Sequence, residues 1–470
     1  MAYKTVNPYT NEVVKTYDFA TKEQIEQTLS TTHNLYKKWR KEKISDRATT
    51  LHKIADLLRA NKQKLAKIAT VDMGKLLRES EGEVELCALI ADYFAEHGEE
   101  LLSSTPITTR ATGAAEIEKQ AIGTILAVEP WNFPYYQIMR VFAPNYIVGN
   151  PMILKHASNT PGSAAAFEKI VIEAGASKGS MVNLFLNYDQ VSEIIADSRV
   201  QGVALTGSKR GGQSVAKVAG ENLKKSSMEL GGSDAFIVLS DADVKQAVDL
   251  AWRVRLYNAG QVCTSSKRFI VADNLYDEFL KQLKEKFANL KPGDPLNPNT
   301  TLAPMNSQRA KDKLQDQVNR AIAAGAKVYY GNQKIDLSGQ FFEPTILVDV
   351  NKDNPLFYEE MFGPVAQVFK VHSDEEAVEL ANDSQLGLGG IVFSKDSQHG
   401  KKIAQQIETG MVFVNTFLSS LPELPFGGVK GSGYGRELSS LGLMAFVNEK
   451  LVVTAQKPDY GNAAGGLAII

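Results

Sequence analysis

Cysteine is scarce in this sequence. The chain of 470 residues has two, Cys87 and Cys263, too few for a disulfide framework and in keeping with a reducing compartment. Histidine is scarce too: six are scattered with no zinc-type Cys/His spacing, so no metal site is expected. Neither charge sign is in excess. A net charge of −2 leaves no electrostatic footprint for nucleic acid or an anionic membrane. Proline and charge break every apolar run short of a membrane span. Met1-Ala2-Tyr3-Lys4 opens a polar segment without the apolar stretch of a signal peptide, so a cytoplasmic location is expected. Internal repeats are absent as well.

What is present is enough apolar material for two or three cored domains: 43% hydrophobic against 23% charged residues. Residues 21–100 read as long amphipathic helices, with Leu51, Ile54, Leu57 and Leu58 at helical spacing. After about residue 115, short β-rich runs (123–128, 151–154, 200–205) alternate with helical stretches such as 163–174. A second such series begins at Ala235-Phe236-Ile237-Val238-Leu239. This alternation predicts α/β units with open parallel sheets and a cleft between them.

Four local features carry chemistry. Cys263 sits in the polar, glycine-containing Asn258-Ala259-Gly260-Gln261-Val262-Cys263-Thr264, a poor place to hide a thiol. Cys87, in an apolar helical stretch, reads instead as a small buried hydrophobe. Thr206-Gly207-Ser208-Lys209-Arg210-Gly211-Gly212 follows a strand and opens a helix, where free N–H groups suit a phosphate. Gln213 stands where a Walker loop needs lysine, so an NTPase is disfavoured. Met228-Glu229-Leu230-Gly231-Gly232 puts a carboxylate at the seam of the two α/β series, where it can serve as a general base or simply face solvent. Asn132, in Glu129-Pro130-Trp131-Asn132-Phe133-Pro134, can donate to an oxyanion or merely form a turn.

Together with Glu360-Met361-Phe362-Gly363-Pro364 and Pro425-Phe426-Gly427-Gly428, these motifs resemble the aldehyde dehydrogenase superfamily in order and spacing. The resemblance spans residues 5–455. It implies that Cys263 is the nucleophile toward an aldehyde carbonyl, passing through a thiohemiacetal and a thioester. Glu229 would activate the hydrolytic water, and Asn132 with the Cys263 N–H would form the oxyanion hole. Trp131, Lys155, Ser158, Tyr188, Gly207, Ser208, Glu360 and Phe362 would bind the cofactor. Many NAD-preferring relatives carry glutamate at the position of Ser158. Serine removes a charge that would repel a 2′-phosphate, so NADP is expected to be preferred, with NAD possible.

Within the superfamily the chain looks most like bacterial succinate-semialdehyde dehydrogenases. That likeness assigns Arg140 to the substrate's carboxylate, helped by Tyr257 and by Ser420 in the loop 417–421. Tyr257 occupies a position where several such enzymes have a second arginine. The ending Gly435-Arg436-Glu437-Leu438-Ser439 also resembles this branch.

The family layout implies a cofactor domain at 1–102 and 122–231 and a catalytic domain at 232–431. It adds oligomerisation strands at 103–121 and 447–456, and a flexible tail at 457–470. The exposed hairpin edge predicts a homodimer or homotetramer. Three other readings stand beside this one. They are a dehydrogenase for an uncharged or differently charged aldehyde, a CoA-dependent acylating enzyme, and a non-catalytic nucleotide-binding or structural protein.

Overall fold

The structure, a computed structural model, describes residues 3–457; all but the first residue of the expected tail lies outside that range. Helices Lys22–Trp39, Ile44–Ala60, Lys62–Met73 and Leu77–Leu101 come first. The first starts on a capping box between Thr21 and Gln24, and the third stops at Gly74 in the left-handed region. Their apolar stripes join one core, and Cys87 is fully buried within it. Among the described residues, no helix is long and apolar enough to cross a membrane.

Two sheets carry the rest. The first runs in the order Gly433–Tyr434, Lys225–Glu229, Val200–Thr206, Thr124–Glu129, Met152–His156, Met181–Asn183. Every pairing is parallel except the one at Gly433–Tyr434. Its central strands are apolar on both faces because helices cover both; Ile125, Leu126 and Ala127 are all 0% exposed. The second sheet has seven strands, in the order Lys327–Tyr330, Thr345–Val348, Val365–Val371, Arg268–Ala272, Ala235–Val238, Gly390–Phe393, Phe413–Val414. The expected α/β alternation is thus present twice.

The sheets meet at a seam. Leu230 N–H donates to the Ser432 carbonyl at 2.9 Å. Ser432 Oγ donates to the Gly231 carbonyl at 2.6 Å and accepts from Gly387 N–H at 3.0 Å. Ser432 is fully buried, so the seam is sealed by its hydroxyl. A third, antiparallel sheet of Val447–Thr454, Ala114–Ala121 and Thr105–Ile107 stands apart. It leaves Ile107, Leu451 and Val453 exposed.

Candidate active site

Three neighbouring strands of the first sheet end in polar residues: Glu129, Thr206 and Glu229. Thr206 pairs in register with Glu229, and Leu205 with Val128. The three side chains therefore form a row along the carboxyl ends of a parallel sheet, where α/β folds place ligands. Asn132 follows three residues after Glu129.

Cys263 reaches this row on a strained turn. Asn258 (φ 51°), Ala259 (φ 50°) and Gly260 (φ 74°) are all left-handed, which costs a non-glycine residue about 1–2 kcal/mol. Surrounding contacts hold the turn. Asn258 Nδ2 donates to the Asn132 carbonyl at 2.9 Å, and Asn132 Nδ2 donates to the Gln261 carbonyl at 3.1 Å. A Cβ at Gly260 would meet the Gly363 carbonyl at 2.5 Å. Asn132 keeps a second amide hydrogen free of protein partners, so the amide can donate beside Cys263. Burial pushes the Cys263 thiol up to about 11, opposed first by Arg140 and then by Lys267. Lys267 Nζ donates to the carbonyls of Val262 and Cys263 at 2.8 and 2.6 Å.

Glu229 is 1% exposed, and neither carboxylate oxygen has a hydrogen-bond partner. Burial, then the like charge of Glu437, hold its carboxyl well above the usual range; Arg140 and Arg436 pull the other way. Such a carboxyl binds a proton strongly, as a base for water must.

Arg140, expected to meet the substrate's carboxylate, is 0% exposed and ion-paired with Glu437. Its guanidinium lies against the rings of Phe426 (4.3 Å) and Tyr136 (5.1 Å), and Nη2 donates to Thr206 Oγ1 at 3.1 Å. Its charge also acts on the Cys263 thiol. Its partner Glu437 belongs to the segment read from sequence only as a branch marker.

Tyr257 is 38% exposed and stacked on Phe133. It lines a cavity of about 410 Å³ together with Arg78, Glu79, Trp252, Arg253, Leu256 and Thr301. Ser420 lies beside the Tyr136 hydroxyl.

The expected cofactor residues fall into two groups. Trp131 and Phe362 meet edge to face at 5.7 Å. Near them the Glu360 carboxylate accepts from Gly232 N–H at 3.1 Å and pairs with Lys267 at 3.5 Å. A Cβ at Gly231 would run into that carboxylate. Farther along the sheet, Ser208 caps helix Lys209–Glu221 and accepts from Gly211 N–H, while Gly207 N–H donates to the Glu229 carbonyl. Lys155 Nζ sits 5.9 Å from the ring of Tyr188, which is 83% exposed. Burial lowers the Lys155 ammonium to about 8, a cost that an anion beside it would offset. Ser158 is exposed, and its carbonyl accepts from Lys4 N–H at 2.9 Å. A free hydroxyl, a half-buried ammonium and a capped helix start fit the phosphates of a dinucleotide.

A sequence profile of the aldehyde dehydrogenase family matches residues 1–452. The chain belongs to the aldehyde dehydrogenase family. Among similar aldehyde dehydrogenases is the succinate-semialdehyde dehydrogenase [NADP(+)] of Deinococcus radiodurans, 45% identical over 97% of this chain and 96% of that one. The crystal structure of succinic semialdehyde dehydrogenase from Streptococcus pyogenes in complex with NADP+ superposes with TM-score 0.95. It is 57% identical and covers 97% of this chain and 100% of that one. A betaine aldehyde dehydrogenase from Staphylococcus aureus in complex with NAD+ superposes almost as well, with TM-score 0.94. Its identity is 29%, covering 99% of this chain and 94% of that one. The fold of an aldehyde dehydrogenase therefore leaves its cofactor and substrate to side chains.

Sequence reasoning missed several residues of this aldehyde dehydrogenase's site. Arg255, two residues before Tyr257, is fully buried. It donates to the carbonyls of Val365, Met361 and Gly363, tying the Glu360 loop to the helix before the nucleophile. Lys267 and Glu437 were missed because a lysine or glutamate in isolation reads as solvated. Glu129 had a signal: it is an acidic residue ending an apolar strand directly before the Trp-Asn motif.

Proposed function

We propose that this aldehyde dehydrogenase oxidises succinate semialdehyde to succinate with NADP. The convergence of Cys263, Asn132 and Glu229 at the ends of the first sheet carries the reaction type. The names of relatives and the free Ser158 beside Lys155 support the substrate and the cofactor. The thiolate of Cys263 adds to the aldehyde carbon, and Asn132 with the Cys263 N–H donates to the resulting oxyanion. Such a donor contributes about 3 kcal/mol in a desolvated site. Bound NADP supplies the hydride acceptor, held by Lys155, Ser158, Tyr188, Gly207 and Ser208 at one end and by Trp131, Glu360 and Phe362 at the other. Glu229, in its ionised form, then takes a proton from the water that adds to the Cys263 thioester. The C–S bond breaks, the acid leaves, and the thiolate returns.

The acid end of the substrate is assigned to Arg140, helped by Tyr257 and Ser420; Ser420 lies beside the Tyr136 hydroxyl, and the Tyr136 ring carries the Arg140 guanidinium. The protein works in the cytoplasm as a homodimer or homotetramer paired through the small sheet, whose exposed Ile107, Leu451 and Val453 need a cover.

A steady-state panel of aldehydes with both cofactors, with and without CoA, tests the reading. Succinate semialdehyde with NADP is expected to give the highest kcat/KM, with no gain from CoA. Arg140→Ala should raise KM for succinate semialdehyde far more than for an uncharged aldehyde such as hexanal. In Ser158→Glu the preference should turn toward NAD. Equal efficiency with charged and uncharged aldehydes would sink the substrate assignment.

A further inference from the structure

Glu229 serves the reaction as a base, while the first carboxyl of the row has no task in it. Glu129 is 2% exposed, and its carboxylate has no partner but the neighbouring Thr206 hydroxyl. An apolar strand has no structural use for a buried glutamate there, since leaving a charge or even a hydroxyl unpaired costs stability. Thr206 lies between Glu129 and Glu229 on the neighbouring strand. Its hydroxyl accepts from Arg140 Nη2 and reaches the Glu129 carboxylate; rotation of the hydroxyl turns the same hydrogen toward the Glu229 strand.

The charges do not balance. The groups facing Glu229 are Glu437, Arg140 and Arg436; those facing Glu129 are Glu437, Arg140 and Glu229. Arg140 is the one fully buried cation among them, and Glu437 holds it as an ion pair. Three ionised carboxylates around one buried guanidinium would leave excess negative charge in a dry site, so the cluster retains a proton.

We propose that Glu129 is a positioning residue for the general base, sharing one proton with Glu229 across Thr206. When the proton rests on Glu129, Glu229 is ionised and takes a proton from water as the water oxygen bonds to the thioester carbon. The electron pair of the broken C–S bond stays on Cys263. The pair then holds two protons and releases one to solvent before the next turnover. Two interacting carboxyls titrate in two macroscopic steps, so deacylation should rise with pH in two steps.

The inference rests on Glu229 being the base, and the test separates the two ideas. In rapid mixing of enzyme with NADP and succinate semialdehyde, the first turnover of NADPH needs Cys263 and neither carboxyl. Glu229→Gln should keep that burst and lose steady turnover; if it turns over normally, the base reading fails whatever Glu129 does. Glu129→Gln should keep the burst and show one ionisation in kcat. That ionisation should lie about one pH unit or more below the upper step of the parent enzyme. A two-step profile unchanged in Glu129→Gln, with Glu229→Gln stalled, overturns the role of Glu129 alone. Should Glu129→Gln fail to fold, Thr206→Val decides: loss of the upper step supports the shared proton, and its survival overturns it. A role in packing alone would change kcat at every pH by one factor and leave the steps in place.

Discussion

Two charged clusters flank Cys263, and they are built on opposite plans. On the second-sheet side, Glu360 accepts from Gly232 N–H and pairs with Lys267, which also donates to the carbonyls of Val262 and Cys263. Glu360 and Lys267 offset each other there, with Asp234 buried beside them and its carboxyl pushed up to about 6 by burial. On the first-sheet side, Glu129, Glu229 and Glu437 crowd round Arg140, and the Glu229 carboxylate oxygens accept no hydrogen bond. A cluster whose charges are paired is rigid, which suits holding a cofactor in place. A cluster with one carboxyl too many must change its protonation easily, which suits moving water's proton. The same element, a buried carboxylate, is thus made to hold on one side and to exchange on the other.

Removing Arg140 should break this comparison most severely. Arg140→Met keeps the bulk between Tyr136 and Phe426 and deletes the cation of the crowded side. We expect kcat to fall about a hundredfold or more with succinate semialdehyde and with an uncharged aldehyde alike, because the arginine supports the carboxyls and the thiolate, and KM to rise in addition for succinate semialdehyde. Steady-state kinetics with both aldehydes check this. If KM for the anionic aldehyde alone rises and kcat survives, Arg140 serves the substrate only and the crowded carboxyls do not depend on it.

The paired side was largely legible in the sequence, and the crowded side was not. Glu360, Phe362, Gly231 and Cys263 stand in short motifs whose glycines report close approach, and a close approach is a local property. The left-handed run Asn258-Ala259-Gly260 was announced only by its glycine and asparagine. The crowded side is assembled from residues far apart in the chain. Glu437 is 297 positions from Arg140 by subtraction of their numbers, and nothing in Gly-Arg-Glu-Leu-Ser reveals that partner. The likeness to succinate-semialdehyde dehydrogenases gave Arg140 to the substrate, but the sequence does not show that Glu437 also holds it. The α/β alternation was readable because strand and helix periods are local; the strand order, which sets Glu129, Thr206 and Glu229 side by side, was not.

An intermediate effect should appear in stability against pH. Burial holds the carboxyls of Glu129, Glu229 and Glu437 above the ordinary range. A group whose folded value is raised contributes stability in full below its unfolded value and loses it as pH climbs through the folded value. The parent protein is therefore expected to lose Tm as pH rises above the ordinary carboxylate range and through the raised folded values of these carboxyls. Glu129→Gln, with one fewer proton to lose, should lose less over the same range, whereas Glu360→Gln on the balanced side should track the parent. Thermal melts at several pH values read this directly. If Glu360→Gln flattens the curve and Glu129→Gln does not, the excess charge sits on the wrong side of the argument.

The smallest effect belongs to the nucleophile between the clusters. Its thiol is held up by burial and lowered by Arg140 and Lys267, while Glu360 raises it. Iodoacetamide reacts with the thiolate, so alkylation of Cys263 should accelerate nearly tenfold per pH unit well past the range where an ordinary thiol levels off near 8.5. Cys87 is fully buried and should stay unlabelled in the native protein. Glu360→Gln removes a negative neighbour while keeping an acceptor for Gly232 N–H. It also releases Lys267 from its ion pair, leaving that cation to act on the sulfur alone. Both changes favour the thiolate, and we expect alkylation at neutral pH to quicken by about threefold, the equivalent of half a pKa unit. Arg140→Met should slow it by more than that, because Arg140 is the stronger of the two stabilising cations. An alkylation rate insensitive to Glu360→Gln would mean that Lys267 screens Glu360 completely, and that the balanced side is electrically silent at the sulfur as well as in the pH profile.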